Sequence, residues 1–131
     1  MLESLLQCGT FNVTTISRQD SSATFAPEVT VKRGDYSSSA FLESALKGQD
    51  VLIITLPGTA APDLQTNFIK AAAKVEVPWI LPNEYGSDAA NKEISNAVAI
   101  IGSKEKYLDQ IQELGKSSWI GVVNNPWFDF V

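Results

Sequence analysis

Residues Val51 to Leu56 form an apolar run that contains no charged side chain. A strand with one face in water alternates apolar and polar residues, whereas a strand covered by helices on both faces is apolar throughout. Asp50 precedes the run and Pro57-Gly58 ends it, so its length suits a strand better than a helix. The run therefore predicts a central strand of a parallel sheet, covered on both faces.

Strand-like and helix-like segments alternate along the whole chain with short connections, which is typical of α/β proteins. The predicted strands are Phe11 to Arg18, Val29 to Val31, Val51 to Leu56, Trp79 to Leu81 and Trp119 to Val123. The predicted helices follow Ser38, begin near Pro62, and run from about Ser95 to Leu114. Since 131 residues suit one domain, the sequence predicts a single doubly wound parallel sheet over residues 1–131.

Composition excludes several classes of function. The chain has no histidine, one cysteine (Cys8) and a formal net charge of −5. These counts exclude the Ser-His-Asp triad, the Cys-His pair and imidazole or thiolate zinc sites. The negative charge disfavours nucleic acid, and the longest apolar run is far shorter than the ~20 residues of a membrane helix. Because the start also lacks the basic residues of a signal peptide, we expect a cytoplasmic protein with no metal, nucleic-acid partner or membrane segment.

The beginning of the chain departs from the doubly wound pattern, in which the first strand lies in the middle of the sheet. Residues 1 to 8 carry an apolar stripe of Leu2, Leu5 and Leu6, and Gly9 has the position of a helix C-terminal cap. They resemble the second half of a helix, so we expect a partial domain without its first strand. A short N-terminal helix packed on the sheet is the alternative.

Four segments carry a resemblance to a known family. They are FNVTTISRQDSS (11–22), GDYSSSAFLESALKGQDVLIITLPG (34–58), PWILPNEYGSD (78–88) and NNPWF (124–128). The chain resembles the cofactor domain of the NmrA-like and isoflavone-reductase-like branch of the atypical short-chain dehydrogenases. The resemblance implies a Rossmann-like fold that binds NADPH, with a further C-terminal portion completing a pocket for a small-molecule substrate. PNEYG resembles the family's Pro-Ser-Glu-Phe-Gly run, from which Asn83 and Tyr85 depart.

The glycine-rich turn of that family has no counterpart in the sequence. None of the eight glycines is spaced as G-x-G-x-x-G or G-x-x-G-x-x-G, the motif that seats the pyrophosphate on a helix N-terminus. The YxxxK pair of ordinary short-chain dehydrogenases is also missing. We therefore expect weak or absent NADPH binding in this chain alone. Self-association through exposed sheet edges is a further expectation.

Arg18 ends the predicted strand Phe11 to Arg18, where a dinucleotide fold contacts the adenosine ribose. A cation at this position suits a 2′-phosphate, and an acid would suit a free 2′-hydroxyl, so Arg18 favours NADP over NAD. The alternative is a solvated arginine at the start of a loop.

Two further strand ends supply candidate cofactor-binding residues. Thr55, Leu56, Pro57 and Gly58 follow one strand, and Pro82, Asn83 and Glu84 follow the next. Loops at the carboxyl ends of parallel strands face the ligand crevice, and Gly58 would allow close backbone approach. Simple Pro-Gly and Asn-capped turns are the alternatives.

Lys104 is the candidate catalytic residue. It lies three and four positions from Ile100, Ile101, Tyr107 and Leu108, within the apolar stripe of its predicted helix, whereas Lys106 is about 200° from it around the helix. An inward lysine loses hydration, which favours its neutral form and suits a general acid or base. The resemblance also places the family's catalytic lysine here. A lysine whose stem covers apolar surface while its ammonium reaches water is the alternative.

Two functions from different classes remain open at this point. One is an NADPH-dependent reductase of a small organic substrate, in which Lys104 handles the proton or anchors the nicotinamide ribose. The other is a non-catalytic dinucleotide-sensing regulator or protein-interaction module, because one fold serves both.

Overall fold

The computed structural model describes residues 1–57, 60–86, 91, 93 and 99–124, with the side chains of Pro62 and residues 99–104 excepted. Helices and strands alternate in the order α1 Leu2–Cys8, β1 Thr14–Arg18, β2 Thr30–Gly34, α2 Ser39–Leu46, β3 Val51–Ile53, α3 Pro62–Lys74, β4 Trp79–Leu81, α4 Ala99–Leu114 and β5 Ser118–Trp119. The strand pairs β1–β2, β3–β4 and β4–β5 are all parallel. The α/β class and the parallel pairing predicted from the sequence are confirmed.

The strands form two sheets. One contains β1 and β2, and the other has the order β3-β4-β5. The Thr30 N–H donates to the Val13 carbonyl at 3.0 Å. In this parallel register, alternate residues of β1 direct their backbone N–H and C=O groups toward β2, and those of Ile16 point to the opposite edge of the strand. In the same way, the backbone N–H and C=O groups of Leu52 and Ile54 point toward β4, while those of Val51 and Ile53 point to the other edge of β3. Among the described residues, no strand pairs with these two edges.

The core lies between the three-stranded sheet and helices α2, α3 and α4. Its buried members are Leu42, Leu46, Leu52, Ile54, Phe68, Ile69, Ala71, Ala72, Val77, Ile80 and Ile111. Side chains alternate between the faces of a strand, and Val51 and Trp79 on the opposite face are 44% and 45% exposed. The prediction that Val51 to Leu56 is covered on both faces was therefore wrong for one face.

Four strands have bounds that differ from those predicted, and hydrogen bonding explains two of them. β2, predicted as Val29 to Val31, runs from Thr30 to Gly34. β5 ends at Trp119 because the next donor of the ladder belongs to Pro82, which has no N–H. β3 ends at Ile53 although the Ile54 N–H still donates to the Leu81 carbonyl at 2.9 Å. The next ladder donor, the Asn83 N–H, is directed instead to the Gln65 side chain. β1 begins at Thr14, and Phe11 before it is 56% exposed.

Gly34 ends β2 in close contact with the Phe41 ring of α2. A Cβ at this position would lie 2.5 Å from the ring atom Cε2 of Phe41, whereas a Cβ at Gly86 would meet nothing within 4 Å. We expect Gly34→Ala to destabilise the chain by about 1–3 kcal/mol, because Phe41 or β2 must move to accommodate it. Chemical denaturation of Gly34→Ala, with Gly86→Ala as the matched control, measures the difference. Equal effects of the two substitutions would contradict this prediction, because they would mean that Phe41 and α2 move away from a Cβ at position 34 without cost in stability.

Candidate functional site

A cleft of about 580 Å³ lies at the carboxyl ends of β1 and β2. Its lining combines the last residue of β1 and of β2, the residues that follow each strand and one residue of α3, namely Arg18, Gln19, Asp20, Gly34, Asp35, Tyr36, Ser37 and Leu64. The carboxyl ends of parallel strands are where doubly wound sheets bind ligands. A smaller cavity of about 330 Å³ lies at the opposite end of the other sheet, beside Pro78 and residues 115–118.

Arg18 brings a positive charge to the cleft. Its side chain is 73% exposed, and its Nε lies 4.0 Å from the Asp20 carboxylate. An exposed pair at this distance holds the arginine weakly, so the guanidinium is available for an anionic ligand. The sequence prediction placed Arg18 at a strand end facing a crevice, and the structure has it there.

Asp35 and Tyr36 form the wall of the cleft beyond β2. The Ser37 hydroxyl and backbone N–H donate to the Asp35 carboxylate at 2.6 and 2.8 Å, and these bonds lower the pKa of Asp35. The Tyr36 hydroxyl donates to the Ile16 carbonyl at 3.0 Å, and its ring packs edge-on against Phe68 at 5.1 Å. Burial raises the pKa of Tyr36, while the nearby charge of Arg18 acts in the opposite direction. Tyr36 therefore joins the cleft to the core as a neutral hydroxyl donor.

Arg33 of β2 anchors the loop that follows β1. Its guanidinium donates to the carbonyls of Ser21 and Ala23 at 2.7 and 2.6 Å. The sequence analysis did not single out Arg33. Because the loop begins at Gln19, these bonds restrict the segment that carries the residues beside Arg18.

A second group of side chains lies at the carboxyl ends of β3 and β4. The Asn83 side-chain amide donates to the Leu56 carbonyl at 2.8 Å, and the Asn83 backbone N–H donates to Gln65 Oε1 at 3.3 Å. Pro82 is fully buried, and Glu84 is only 5% exposed. Thr55 and Pro57 are exposed, and Gly58 lies outside the described residues. The structure thus brings Leu56, Pro82, Asn83 and Glu84 together at one sheet edge.

Gln65 is the residue of this group that sequence reasoning missed. It precedes the buried residues Phe68, Ile69 and Ala72 at spacings of three, four and seven, so helical phase places it on the buried face of α3. The same phase argument that selected Lys104 would have found it.

Lys104 lies in α4, and its side chain lies outside the described residues. Leu108 and Ile111, four and seven positions later, are 7% and 1% exposed, whereas Leu114 is 39% exposed, so the predicted inward stripe holds at the first two positions and not at Leu114. Lys106 is exposed, with its Nζ 4.8 Å from the centre of the Tyr107 ring. The prediction that Lys106 is solvated is confirmed.

The two groups together fit a dinucleotide on chemical grounds. The Arg18 cleft offers a cation for a phosphate, and the second group lies at the carboxyl ends of two neighbouring parallel strands, where doubly wound sheets bind ligands. Within the part of the chain that the structure describes, no helix is long and apolar enough to cross a membrane.

Comparison with known proteins relates these features to a family. The model of the NAD(P)H-binding family matches residues 1–105. The oxidoreductase aprR of Aspergillus flavus is 32% identical over 124 residues, which are 91% of this chain and 41% of that protein. The sequence of this chain thus spans about two fifths of that relative.

Two solved structures share the fold. AtPrR2 with NADP+ and (+)pinoresinol is 18% identical, with a TM-score of 0.72 over 88% of this chain and 43% of that one. An isoflavone reductase is 17% identical, with a TM-score of 0.71 over 92% and 43%. These similarities confirm the Rossmann-like fold and the isoflavone-reductase-like resemblance.

Proposed function

We propose that this chain, which belongs to the NAD(P)H-binding family, is the cofactor-binding part of an NADPH-dependent oxidoreductase acting on a small organic substrate. The observation that carries the proposal is the cleft at the carboxyl ends of β1 and β2, with the exposed Arg18 in its wall. The names of the relatives support the same class, since one is an oxidoreductase and another was solved with NADP+.

The two groups of the site have different parts in this proposal. Arg18 binds the 2′-phosphate, and Tyr36 and Leu64 offer apolar surface beside it. Thr55, Leu56, Pro57 and Gly58 and the turn of Pro82, Asn83 and Glu84 border the nicotinamide half. The cofactor supplies a hydride when bound, and Lys104 holds or moves the accompanying proton.

Arg18→Ala should remove most of the preference for NADPH over NADH. Losing a charge-assisted contact to the 2′-phosphate should weaken NADPH by about 1.5–3 kcal/mol and leave NADH nearly unchanged. Titration of the ¹⁵N-labelled chain with each cofactor, followed by NMR, measures even weak binding. Lys116→Ala, a substitution of an exposed cation that pairs with Glu76, is the control. Equal affinities for the two cofactors before mutation would overturn the role of Arg18.

A non-catalytic dinucleotide sensor or interaction module is the second candidate. One fold serves both catalysis and regulation, so the fold itself does not decide between the two candidates. NADPH oxidation by a complete homologue against small carbonyl and phenylpropanoid compounds distinguishes the two, since a sensor binds cofactor without consuming it. The cytoplasmic location stays a prediction.

A further inference from the structure

Gln65 places a polar amide on the buried face of α3. It is 5% exposed, and the side chains that share its face, Phe68, Ile69 and Ala72, are apolar and buried. An amide at such a position must satisfy its hydrogen-bonding groups within the protein.

The orientation of the Gln65 amide follows from its partner. A backbone N–H can only donate, so the atom that receives the Asn83 N–H at 3.3 Å is the Gln65 oxygen. This leaves Gln65 Nε2 buried and without a hydrogen-bond partner among the described residues. An apolar side chain of similar shape would fill the same space without an unpaired donor. Packing therefore does not account for a glutamine at this position.

The hydrogen bond from the Asn83 N–H to Gln65 ends the β3–β4 ladder. Continuation of the β3–β4 ladder would direct the Asn83 N–H to the Ile54 carbonyl, because the preceding bond runs from the Ile54 N–H to the Leu81 carbonyl at 2.9 Å. Gln65 accepts that N–H instead. The Asn83 side chain then donates across to the Leu56 carbonyl at 2.8 Å. Two bonds thus join α3, the turn after β4 and the residues after β3.

We propose that Gln65 is a positioning residue for the cofactor crevice. Gln65 ends the β3–β4 ladder and thereby fixes the two strand ends at the separation that the nicotinamide half of the dinucleotide needs. This inference rests on the proposed function, because it assigns the ligand of that same site. Gln65 acts through Asn83 and Leu56 and does not itself contact the ligand, since its nitrogen is buried. It should leave the Arg18 cleft, at the ends of the other sheet, unaffected.

The test uses the ¹⁵N-labelled chain and two probes, NADPH and adenosine 2′,5′-bisphosphate, which carries the adenosine half alone. Gln65→Met keeps the size of the side chain and removes the acceptor. We expect it to raise the dissociation constant for NADPH about fivefold to tenfold and to leave that for the bisphosphate unchanged. Amide hydrogen exchange at Asn83 should become faster. Ser117→Ala, which removes a single 2.7 Å bond to the Val77 carbonyl near the start of β5, is the matched control and should change neither constant.

Each outcome decides between the alternatives. Unchanged NADPH binding in Gln65→Met overturns the positioning role alone, and equal weakening of both probes shows a general loss of structure and overturns it too. If the wild-type chain gives no NADPH-induced shifts, the proposed function falls and this inference with it. Should Gln65→Met fail to fold, Gln65→Leu removes the same acceptor with a more compact apolar side chain on the buried face of α3. Selective loss of NADPH binding in that variant supports the inference, and unchanged binding overturns it.

Discussion

Expressed alone, the 131-residue chain should melt at low temperature or associate, and it should bind NADPH weakly. The reason is the division of the strands into two sheets, β1-β2 and β3-β4-β5. The edge of β1 away from β2 and the edge of β3 away from β4 pair with no strand among the described residues. A cooperative sheet of this fold class has backbone bonds across every internal edge, so this division removes a set of them.

The edge of β1 is satisfied only in part. Ile16 directs its carbonyl away from β2, and the Tyr36 hydroxyl donates to it at 3.0 Å. One side-chain hydroxyl cannot serve a whole strand edge. An intramolecular backbone hydrogen bond contributes about 0.5–1.5 kcal/mol net, and total stabilities are about 5–15 kcal/mol, so the loss of several such bonds consumes much of the margin. Association that pairs these edges would recover the lost bonds.

Weak NADPH binding has a separate cause. The sequence lacks the glycine-rich turn that in this fold class seats the pyrophosphate on a helix N-terminus. In the proposed binding mode, the Arg18 cleft and the turn of Pro82, Asn83 and Glu84 would hold the two ends of the cofactor without its middle.

Thermal unfolding and sedimentation of the chain, with and without NADPH, measure these effects. Val51→Lys places a charge on the unpaired edge strand β3 and should shift the chain toward monomer. Val123→Lys, at a similarly exposed valine outside the strands, is the matched control. Cooperative melting of a monomer with micromolar NADPH affinity would show that the chain is a complete module.

Local chemistry in the sequence was enough to place most elements. α1 ends at Cys8 with Gly9 at φ 69°, α2 follows the Ser38 cap, and β4 is Trp79–Leu81 as predicted. Each is fixed by residues next to it in the chain: a glycine that tolerates positive φ, a hydroxyl that accepts from the Phe41 N–H, and prolines on both sides of the strand.

Interactions between distant residues explain what the sequence did not predict. The early end of β3 depends on Gln65, which is 18 positions from its partner Asn83. Likewise, the Tyr36 bond to Ile16 spans 20 positions. Neither pairing leaves a local signal, although the helical phase of Gln65 marks its burial. The exposed face of β3 was missed because an apolar run does not show whether a helix covers both its faces.

Lys104→Ala should lower turnover in a complete homologue by about 10²–10⁴-fold if the lysine at this position moves a proton in the reaction. The apolar spacing of the sequence predicts Lys104 on the same face as Leu108 and Ile111, which are buried in α4. Alanine has high helix propensity, so the helix itself should persist. Steady-state kinetics together with circular dichroism measure the two effects separately.

Lys106 is the internal control for that prediction, because it lies in the same helix with its ammonium over the Tyr107 ring and is exposed. A cation–π contact at an exposed site contributes about 0.5–1 kcal/mol, so Lys106→Ala should affect stability slightly and turnover very little. The pH profile adds a test that a structural role would not pass: loss of a proton-transferring lysine should abolish one limb of the kcat profile, whereas loss of a packing contact should lower it uniformly. Equal, modest effects of the two substitutions would identify Lys104 as a surface lysine, and the reductase proposal would then lose its proton donor.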